Sequence, residues 1–435
     1  PRLDVAVNAQ LREVAERDAF PSDRPEFQDY DIQAGLNTRH RRGDFELRTS
    51  VNLSAVDNRQ QAIRFGELGD KAPKQDLNDY LLEAETPTTG AALGHVTFGN
   101  QPLLISSLGN RGATVRHALT ERLDLAAAAM NGTSIVGYKN ITGLQDLGDD
   151  HYIVSGQVGY ELLGDRPGGA RIEVSWMNGK IRSDLGFNVG EITDSESSRG
   201  FGIKLLGSTE SGRLRGEFNY ARSRFFNPND PQLDLFGNAL PVTPTTDDAR
   251  TAEVGLDVLQ DYEVAENLPA RLTVTFRHEY ADPLYRSLGA FVNANVESNT
   301  LSMAGGLGDI SLNASIARSE DNVDDVPTLL TTRTESVNLS ASVPLESLAD
   351  RFLAASEARR WWLPSLDYSW GRVHQLAANS PANAFSGFNG GSHLPDQVSR
   401  TEGVGLAWNG DRWNLSYRYN LSKQNNRQVG RTQDD

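Results

Sequence analysis

Hydrophobic and polar residues alternate one by one along most of this chain. The stretch from Asp411 to Lys423 is representative. Its first set of alternate positions is aromatic or aliphatic: Trp413, Leu415, Tyr417, Tyr419 and Leu421. Its second set is small, polar or charged: Asn414, Ser416, Arg418, Asn420 and Ser422. Because successive side chains of a strand point to opposite sides, this pattern predicts a β-strand with one apolar face and one wet face.

The same alternation predicts about 19 strands spread evenly from end to end. The clearest cover residues 30–37, 45–54, 271–280, 310–317 and 336–343. The pattern over 288–307 fits either one long strand or two, and residues 359–373 predict another strand. Residues 345–359 break the rule, because their apolar positions recur at helical spacing and predict a short amphipathic helix. The fold class is therefore all-β.

The connections between these strands fall into two kinds. Some are tight and rich in Gly, Asn and Asp, which favour hairpin turns, such as 41–44, 208–212 and 306–309. Others are long and polar, such as 179–199 and 226–249. Short and long connections alternate, which predicts an antiparallel up-and-down meander. We expect one domain over residues 1–435, since no linker or fixed-period repeat divides the chain.

An apolar sheet face this large needs a partner. A soluble sandwich or propeller would bury it against another sheet, but the chain shows no blade repeat of about 40–50 residues. A membrane barrel would turn the face to lipid and its Asn/Ser/Gly-rich face to a watery lumen. Aromatic residues near strand ends fit the interfacial girdles of such a barrel, although ordinary core aromatics would give a similar pattern. The girdle candidates are Tyr220, Trp362, Tyr368, Trp370, Trp408, Trp413, Tyr417 and Tyr419.

Composition narrows the classes further. The mean hydropathy is −0.47, and no run of 18 apolar residues predicts a membrane-spanning helix. The formal charge of −16, with no segregated basic patch, argues against nucleic-acid binding. The chain has no cysteine, which excludes disulfides, thiol catalysis and cysteine metal sites.

With these features together, the chain resembles Gram-negative outer-membrane β-barrel proteins. The resemblance rests on the alternation, the short and long connections, the aromatic strand ends and the lack of cysteine. It implies a transmembrane barrel of about 18–20 strands in the bacterial outer membrane, with membrane lipid, lipopolysaccharide and further assembly proteins as partners. Such barrels usually have an even strand number, whereas the last strand here heads for the long-loop side. We therefore expect a strand beyond Asp435, in a chain that is part of a larger barrel, or a count that is off by one.

Charged residues on the polar faces are candidates for the lumen. They are Lys204, Arg213, Arg215, Glu217, Arg271, Arg277, Glu279 and Arg418. An arginine-rich wall could select anions or bind sugar hydroxyls. The competing interpretation is that these side chains form ion pairs across the wall and hold the barrel in shape.

Other chemistry has weaker support in the sequence. Acidic loop residues, with Asp321, Asp324 and Asp325 as the candidates, could bind Ca²⁺, although their spacing does not fit an EF-hand. We expect no other cofactor. The chain lacks HExxH, GxSxG and phosphate-binding glycine motifs, so we do not expect an enzyme.

Two functional hypotheses remain open. The first is a polar-lumen channel, or the membrane-embedded part of a secretion or surface assembly. The alternative is a structural barrel, or an extracellular all-β protein, that anchors or displays a surface partner without transport. Conductance across a bilayer would separate them.

Overall fold

In this computed structural model, the described part of the chain contains 19 β-strands and very little helix. The structure describes residues 1–13, 27–132, 137–138, 140–145, 147–148, 151–163, 168–182, 195–227, 243–265, 268–352, 362–381, 394–410 and 412–428. The strands are β1 Arg2–Arg12, β2 Phe27–Arg42, β3 Phe45–Val56, β4 Gln75–Glu85, β5 Thr89–Gln101, β6 Ile105–Ala118, β7 Leu123–Asn131, β8 Tyr152–Glu161, β9 Ala170–Arg182, β10 Ser195–Ser208, β11 Leu214–Phe226, β12 Thr245–Ala265, β13 Leu268–Ala281, β14 Val296–Leu307, β15 Ile310–Asp321, β16 Thr332–Pro344, β17 Ser365–Ala377, β18 Asp396–Asn409 and β19 Asn414–Asn426.

Helices occur only in two connections of the described chain. Between β3 and β4 lie two 3₁₀ turns, Arg59–Gln61 and Gly69–Lys71, and the short helix α1, Phe65–Leu68. Between β16 and β17 lies α2, Leu345–Phe352. None of the described helices has the length and apolarity needed to cross a membrane.

Each strand pairs antiparallel with the next one along the chain, from β1 with β2 through β18 with β19. Odd-numbered strands therefore run from the short-turn side, where tight connections such as 43–44 and 308–309 lie, to the long-loop side. The sheet forms an up-and-down β-barrel. The predicted fold class and strand number are confirmed.

The register sets which side chains share a face of the wall. Trp176 lies opposite Phe201 across β9 and β10, and Leu205 lies opposite Phe218 across β10 and β11. These four side chains are each more than a third exposed although they are apolar. The alternate positions point inward, where Ser175, Met177, Ala221 and Ser223 are buried. The barrel is thus apolar outside and packed or polar inside, the inverse of a soluble protein.

Three predicted boundaries need correction. Residues 288–295 are not strand, and β14 begins only at Val296. The apolar residues of this segment do not form a strand face. Instead, Leu288, Val292 and Ala294 pack against a cluster inside the barrel. The predicted strand at 359–373 lies further along, as β17, and the helix predicted to reach residue 359 is described only to Phe352.

The two edge strands form a seam. Every side chain of β1 is exposed, and so are most of those of β19. No register joins β19 to β1 within the described strands. Because both are odd-numbered, they run in the same direction along the two sides of this seam.

Candidate functional site

One hairpin leaves the wall and fills part of the lumen. β4 pairs with β5 only over Leu81–Glu85, after which β5 and β6 turn inward to a tip at residues 101–105. The Gln101 amide donates to the Ile203 and Tyr220 carbonyls at 3.2 and 3.1 Å, across the lumen on β10 and β11. Gly202 makes room for this contact, since a Cβ there would lie 2.7 Å from the Gln101 side chain. The tip therefore sits against the inner wall.

A segment we call the strap, residues 282–295 between β13 and β14, lies on the tip. The Tyr285 hydroxyl donates to the Leu103 carbonyl at 2.6 Å, and the Ser287 hydroxyl donates to the Leu104 carbonyl at 2.6 Å. A parallel bridge joins Ile105 to Gly289. Burial raises the pKa of the Tyr285 hydroxyl, which keeps it protonated as a donor.

Tip and strap enclose an apolar cluster inside the barrel. Leu104 and Ile105 of the tip are fully buried there, together with Met130, Ile153 and Met177 of the wall. Sequence reasoning missed this cluster, because its residues occupy the inward positions assigned to a wet lumen. At the level of the tip and the strap, the half of the lumen bounded by β6 to β13 is thus filled by packing.

Residues 108–112 and 126–132 contribute to this packing through Leu108, Ala128 and Met130. The Arg111 side chain is fully buried and donates to the Gly137 carbonyl at 2.7 Å. The Tyr80 hydroxyl donates to the Ile141 carbonyl. These contacts bring the connection after β7 against the place where β5 leaves β4, and so fill the gap in the wall.

The inner face of β14 to β19 has a different character, and we call it the hydroxyl wall. One cross-strand row holds Ser302, Ser315, Asn338, Gly371, Thr401 and Ser422. The next row holds Ala304, Asn313, Ser340, Ser369, Gly403 and Asn420. Cavities of about 540 and 290 Å³ lie against these rows. Small uncharged hydrogen-bonding groups therefore face the larger cavity, while Asp367 and Arg418 also line the smaller one.

The candidate lumen charges take inward positions in the strand register, and most contact another polar or charged side chain. Lys204 lies 3.3 Å from Glu217, and Arg215 lies 2.9 Å from Asp257. Further contacts are those of Arg277 with Glu279 at 2.9 Å, of Arg213 with Gln260 at 3.3 Å, and of Arg271 with Asp261. Arg418 lies in the same cross-strand row as Asp367, with Gly405 between them. This pairing favours a structural role for these side chains over an anion filter.

The most connected lumen cation is Arg171, which sequence reasoning missed. It contacts Asp124, Glu161 and Glu173 at 2.8, 3.0 and 2.6 Å, and its side chain is 17% exposed. The Glu173 side chain is 5% exposed and also accepts from Asn100 at 2.7 Å. The alternation puts Arg171 and Glu173 two positions apart on the inner face of β9, but Asp124 and Glu161 come from β7 and β8 and could not be read from local spacing.

The aromatic candidates lie on or next to the outer face. Tyr417 and Tyr419 are exposed on β19, and the Tyr368 hydroxyl donates to Glu402 at 3.2 Å. The Trp408 indole donates to the Trp362 carbonyl at 3.1 Å, close to the short-turn side. Tyr220, Trp370 and Trp413 also occupy outward or turn positions.

The acidic candidates for Ca²⁺ do not form a ligand set in the described chain. Asp321 accepts from the Thr332 amide at 2.5 Å, while Asp324 and Asp325 lie in the following turn. Within the described residues, no three His, Cys, Asp or Glu side chains are grouped to hold a metal ion. Calcium binding stays a prediction.

The fold and its surface define the class of this protein. An antiparallel barrel with an apolar outer belt, a polar inner face, short turns on one side and longer loops on the other is a transmembrane β-barrel of the bacterial outer membrane. No family model and no curated protein sequence matches the chain.

Solved structures with a similar outline include three outer-membrane proteins. OccK1 (OpdK) of Pseudomonas aeruginosa has a TM-score of 0.40 and 11% sequence identity, and the match covers 97% of this chain and 96% of that one. A BenF-like porin of Pseudomonas fluorescens Pf-5 has a TM-score of 0.39 and 11% identity, with 96% of this chain and 97% of that one covered. OccAB2 of Acinetobacter baumannii has a TM-score of 0.38 and 11% identity, with 96% of each chain covered.

Proposed function

We propose that this protein is a passive outer-membrane channel whose path runs along the hydroxyl wall. The observation that carries the proposal is the division of the lumen into a packed half and an open half. The packed half is closed by the tip and the strap, which leaves the Ser, Thr and Asn rows of β14 to β19 beside the remaining cavities. A channel narrowed on one side by its own chain gives selectivity without a moving gate.

The chemistry of the open half favours small polar solutes with little net charge. Its central rows hold hydroxyl, amide and glycine positions, which exchange hydrogen bonds with a solute in place of water. The charged lumen residues, such as Arg215 and Arg277, lie beside carboxylates that neutralise them. We therefore expect weak selectivity between ions and faster passage of sugars or other neutral hydroxylated solutes than of anions of equal size.

Planar-bilayer recording tests the channel, and adjacent residues of β16 supply a matched pair of variants. Asn338 belongs to the hydroxyl wall and points into the lumen, whereas Leu339 points outward. Asn338→Trp should lower the single-channel conductance by a third or more, because the indole fills part of the path. Leu339→Trp adds the same bulk to the lipid side and should leave conductance unchanged.

Two results would contradict the proposal. No conductance from folded wild-type protein would favour the non-transporting structural barrel. Equal conductance of wild type and Asn338→Trp would show that ions pass elsewhere. Liposome swelling with a neutral disaccharide and with an organic anion of similar size then measures the solute preference.

A further inference from the structure

Three arginines interrupt the apolar outer face near the long-loop ends of β10 and β11. Arg199, Arg222 and Arg224 occupy the outward positions of these strands, and we call them the outer arginine cluster. All three are exposed. The positions below them on the same face are Ile203 and Tyr220, which belong to the apolar belt. The cluster therefore lies where the belt ends, at the level of lipid headgroups rather than in a loop.

The cluster holds like charges face to face. Arg199 lies directly opposite Arg224 in the β10–β11 register. Directly opposed charges of the same sign destabilise a sheet. Within the described residues, Arg199 and Arg224 have no ion-pair partner, and Asp248 pairs with Arg222, at 3.7 Å. An anion from outside the chain that lies between the two guanidinium groups would neutralise their positive charge.

The surface beside the cluster is shaped for more than a free anion. A groove of about 540 Å³ runs along the outer face between the arginines and the side chains of Trp176 and Phe201. These two aromatic residues lie opposite each other, are 48% and 42% exposed, and form the apolar side of the groove. The guanidinium groups lie nearer the long-loop side than the aromatic side chains. This order suits a ligand with a phosphate headgroup and a hydrocarbon chain that extends toward the membrane centre.

A second group of opposed cations lies on the same side of the barrel. Arg372 faces Arg400 across β17 and β18, and Arg400 faces Lys423 across β18 and β19. Arg400 is the fifth residue of its strand, as Arg199 is of β10. The buried Nε atom of Arg372 makes no hydrogen bond. A second part of the long-loop rim thus also presents opposed cations outward.

We propose that the outer arginine cluster binds the phosphate groups of a phosphorylated glycolipid of the outer leaflet, of the lipopolysaccharide type. The long-loop side of a barrel of this class faces outward, so the cluster lies in that leaflet. The guanidinium groups bind the phosphates in charge-assisted pairs, and the aromatic residues pack on the acyl chains. This proposal rests on the membrane placement and does not require that the barrel conducts.

Native mass spectrometry of the full chain in a neutral detergent tests the site, with bis-phosphorylated lipid A as the probe. Arg199→Gln with Arg224→Gln should weaken lipid A binding at least tenfold. Arg215→Gln with Arg277→Gln removes the same charge from the inner face and should change it less than twofold. Equal binding by wild type and the outer double variant would overturn the proposal, as would equal binding of dephosphorylated lipid A to wild type. Displacement of lipid A by millimolar inorganic phosphate would show a free-anion site instead.

The thermal midpoint gives a second readout that does not depend on measuring affinity. Without lipid, the outer double variant should melt above wild type, because the opposed charges are gone. With lipid A present, the order should reverse, since only wild type gains from the bound phosphates. A variant that melts below wild type under both conditions would overturn the proposal. If that pair does not fold, Arg199→Gln alone, which also removes the opposed charge, serves for the same comparison.

Discussion

At the scale of single residues, the alternation assigns each side chain to one side of the wall. In the strand register Arg215, Arg277 and Arg418 take inward positions, and Tyr417 and Tyr419 take outward ones. What it could not give is the partner of each side chain. Partners depend on the stagger between neighbouring strands, and a change of register by one residue exchanges the two faces.

Arg171 shows what such a partner set contributes. Arg171→Gln leaves Asp124, Glu161 and Glu173 close together without their cation, and Glu173 is almost fully buried. Removing one member of a buried ionic group costs about 3–5 kcal/mol, so we expect the variant to unfold at clearly lower denaturant concentration. The ion pairs of Arg277 are half exposed, and Arg277→Gln should cost no more than about 1 kcal/mol. Equal losses in the two variants would show that burial does not decide the effect.

Asp57 offers a pH-dependent test outside the membrane span. It follows β3, and its carboxylate accepts from the Tyr30 amide at 2.7 Å, which lowers its pKa. A lowered folded-state pKa adds stability above the unfolded-state pKa, and this is lost as the pH falls through the folded value. Asp57→Asn should therefore lower the thermal midpoint at pH 7, and the difference should shrink as the pH falls below about 4. A difference independent of pH would assign the effect to shape alone.

At the scale of elements, the sequence predicted the strands well and the lumen filling poorly. Strands that span the wall keep strict alternation because they face lipid on one side. The tip and the strap do not need an alternating pattern, because they do not face lipid. Leu104 and Ile105 pack against other parts of the same chain. The strap also alternates locally, and for that reason residues 288–295 resembled a strand.

Loosening the tip should open the channel. Leu104→Asn places an amide in a fully buried apolar site, where an unpaired polar group costs about 1–3 kcal/mol beyond the lost packing. We expect the tip to leave the wall and single-channel conductance to rise. Leu284→Asn changes an exposed strap residue in the same way and should have little effect. Unchanged conductance in folded Leu104→Asn protein would mean that the tip does not limit the path.

At the scale of the whole molecule, the seam between β1 and β19 decides how the barrel closes. β1 and β19 run in the same direction, so direct pairing between them would be parallel, whereas an antiparallel closure needs an odd number of strands between them. The outer face of the seam carries apolar residues such as Val5 and Tyr419, so the seam lies within the lipid belt. Unpaired backbone groups in hydrocarbon cost several kcal/mol each, so these edges need partners in a membrane.

Because the chain has no cysteine, introduced pairs report on the seam directly. Val5→Cys with Ala34→Cys joins register partners of β1 and β2 and should form a disulfide readily. Val5→Cys with Tyr419→Cys spans the seam and should stay reduced under the same oxidant. Efficient oxidation of the seam pair would show instead that β1 and β19 close the barrel in parallel.

The contact between tip and strap also constrains the order of assembly. Tyr285 and Leu103 are separated by 182 positions along the chain, yet they share a buried hydrogen bond. Contacts between distant segments form late, because a large loop must close first. The tip therefore lies unpacked on the inner side of the wall until the strap, which is later in the chain, has folded. The strands that carry the tip and those that carry the strap must both be in place before the two segments can pack together. The packed half of the lumen therefore forms only after most of the barrel wall has formed.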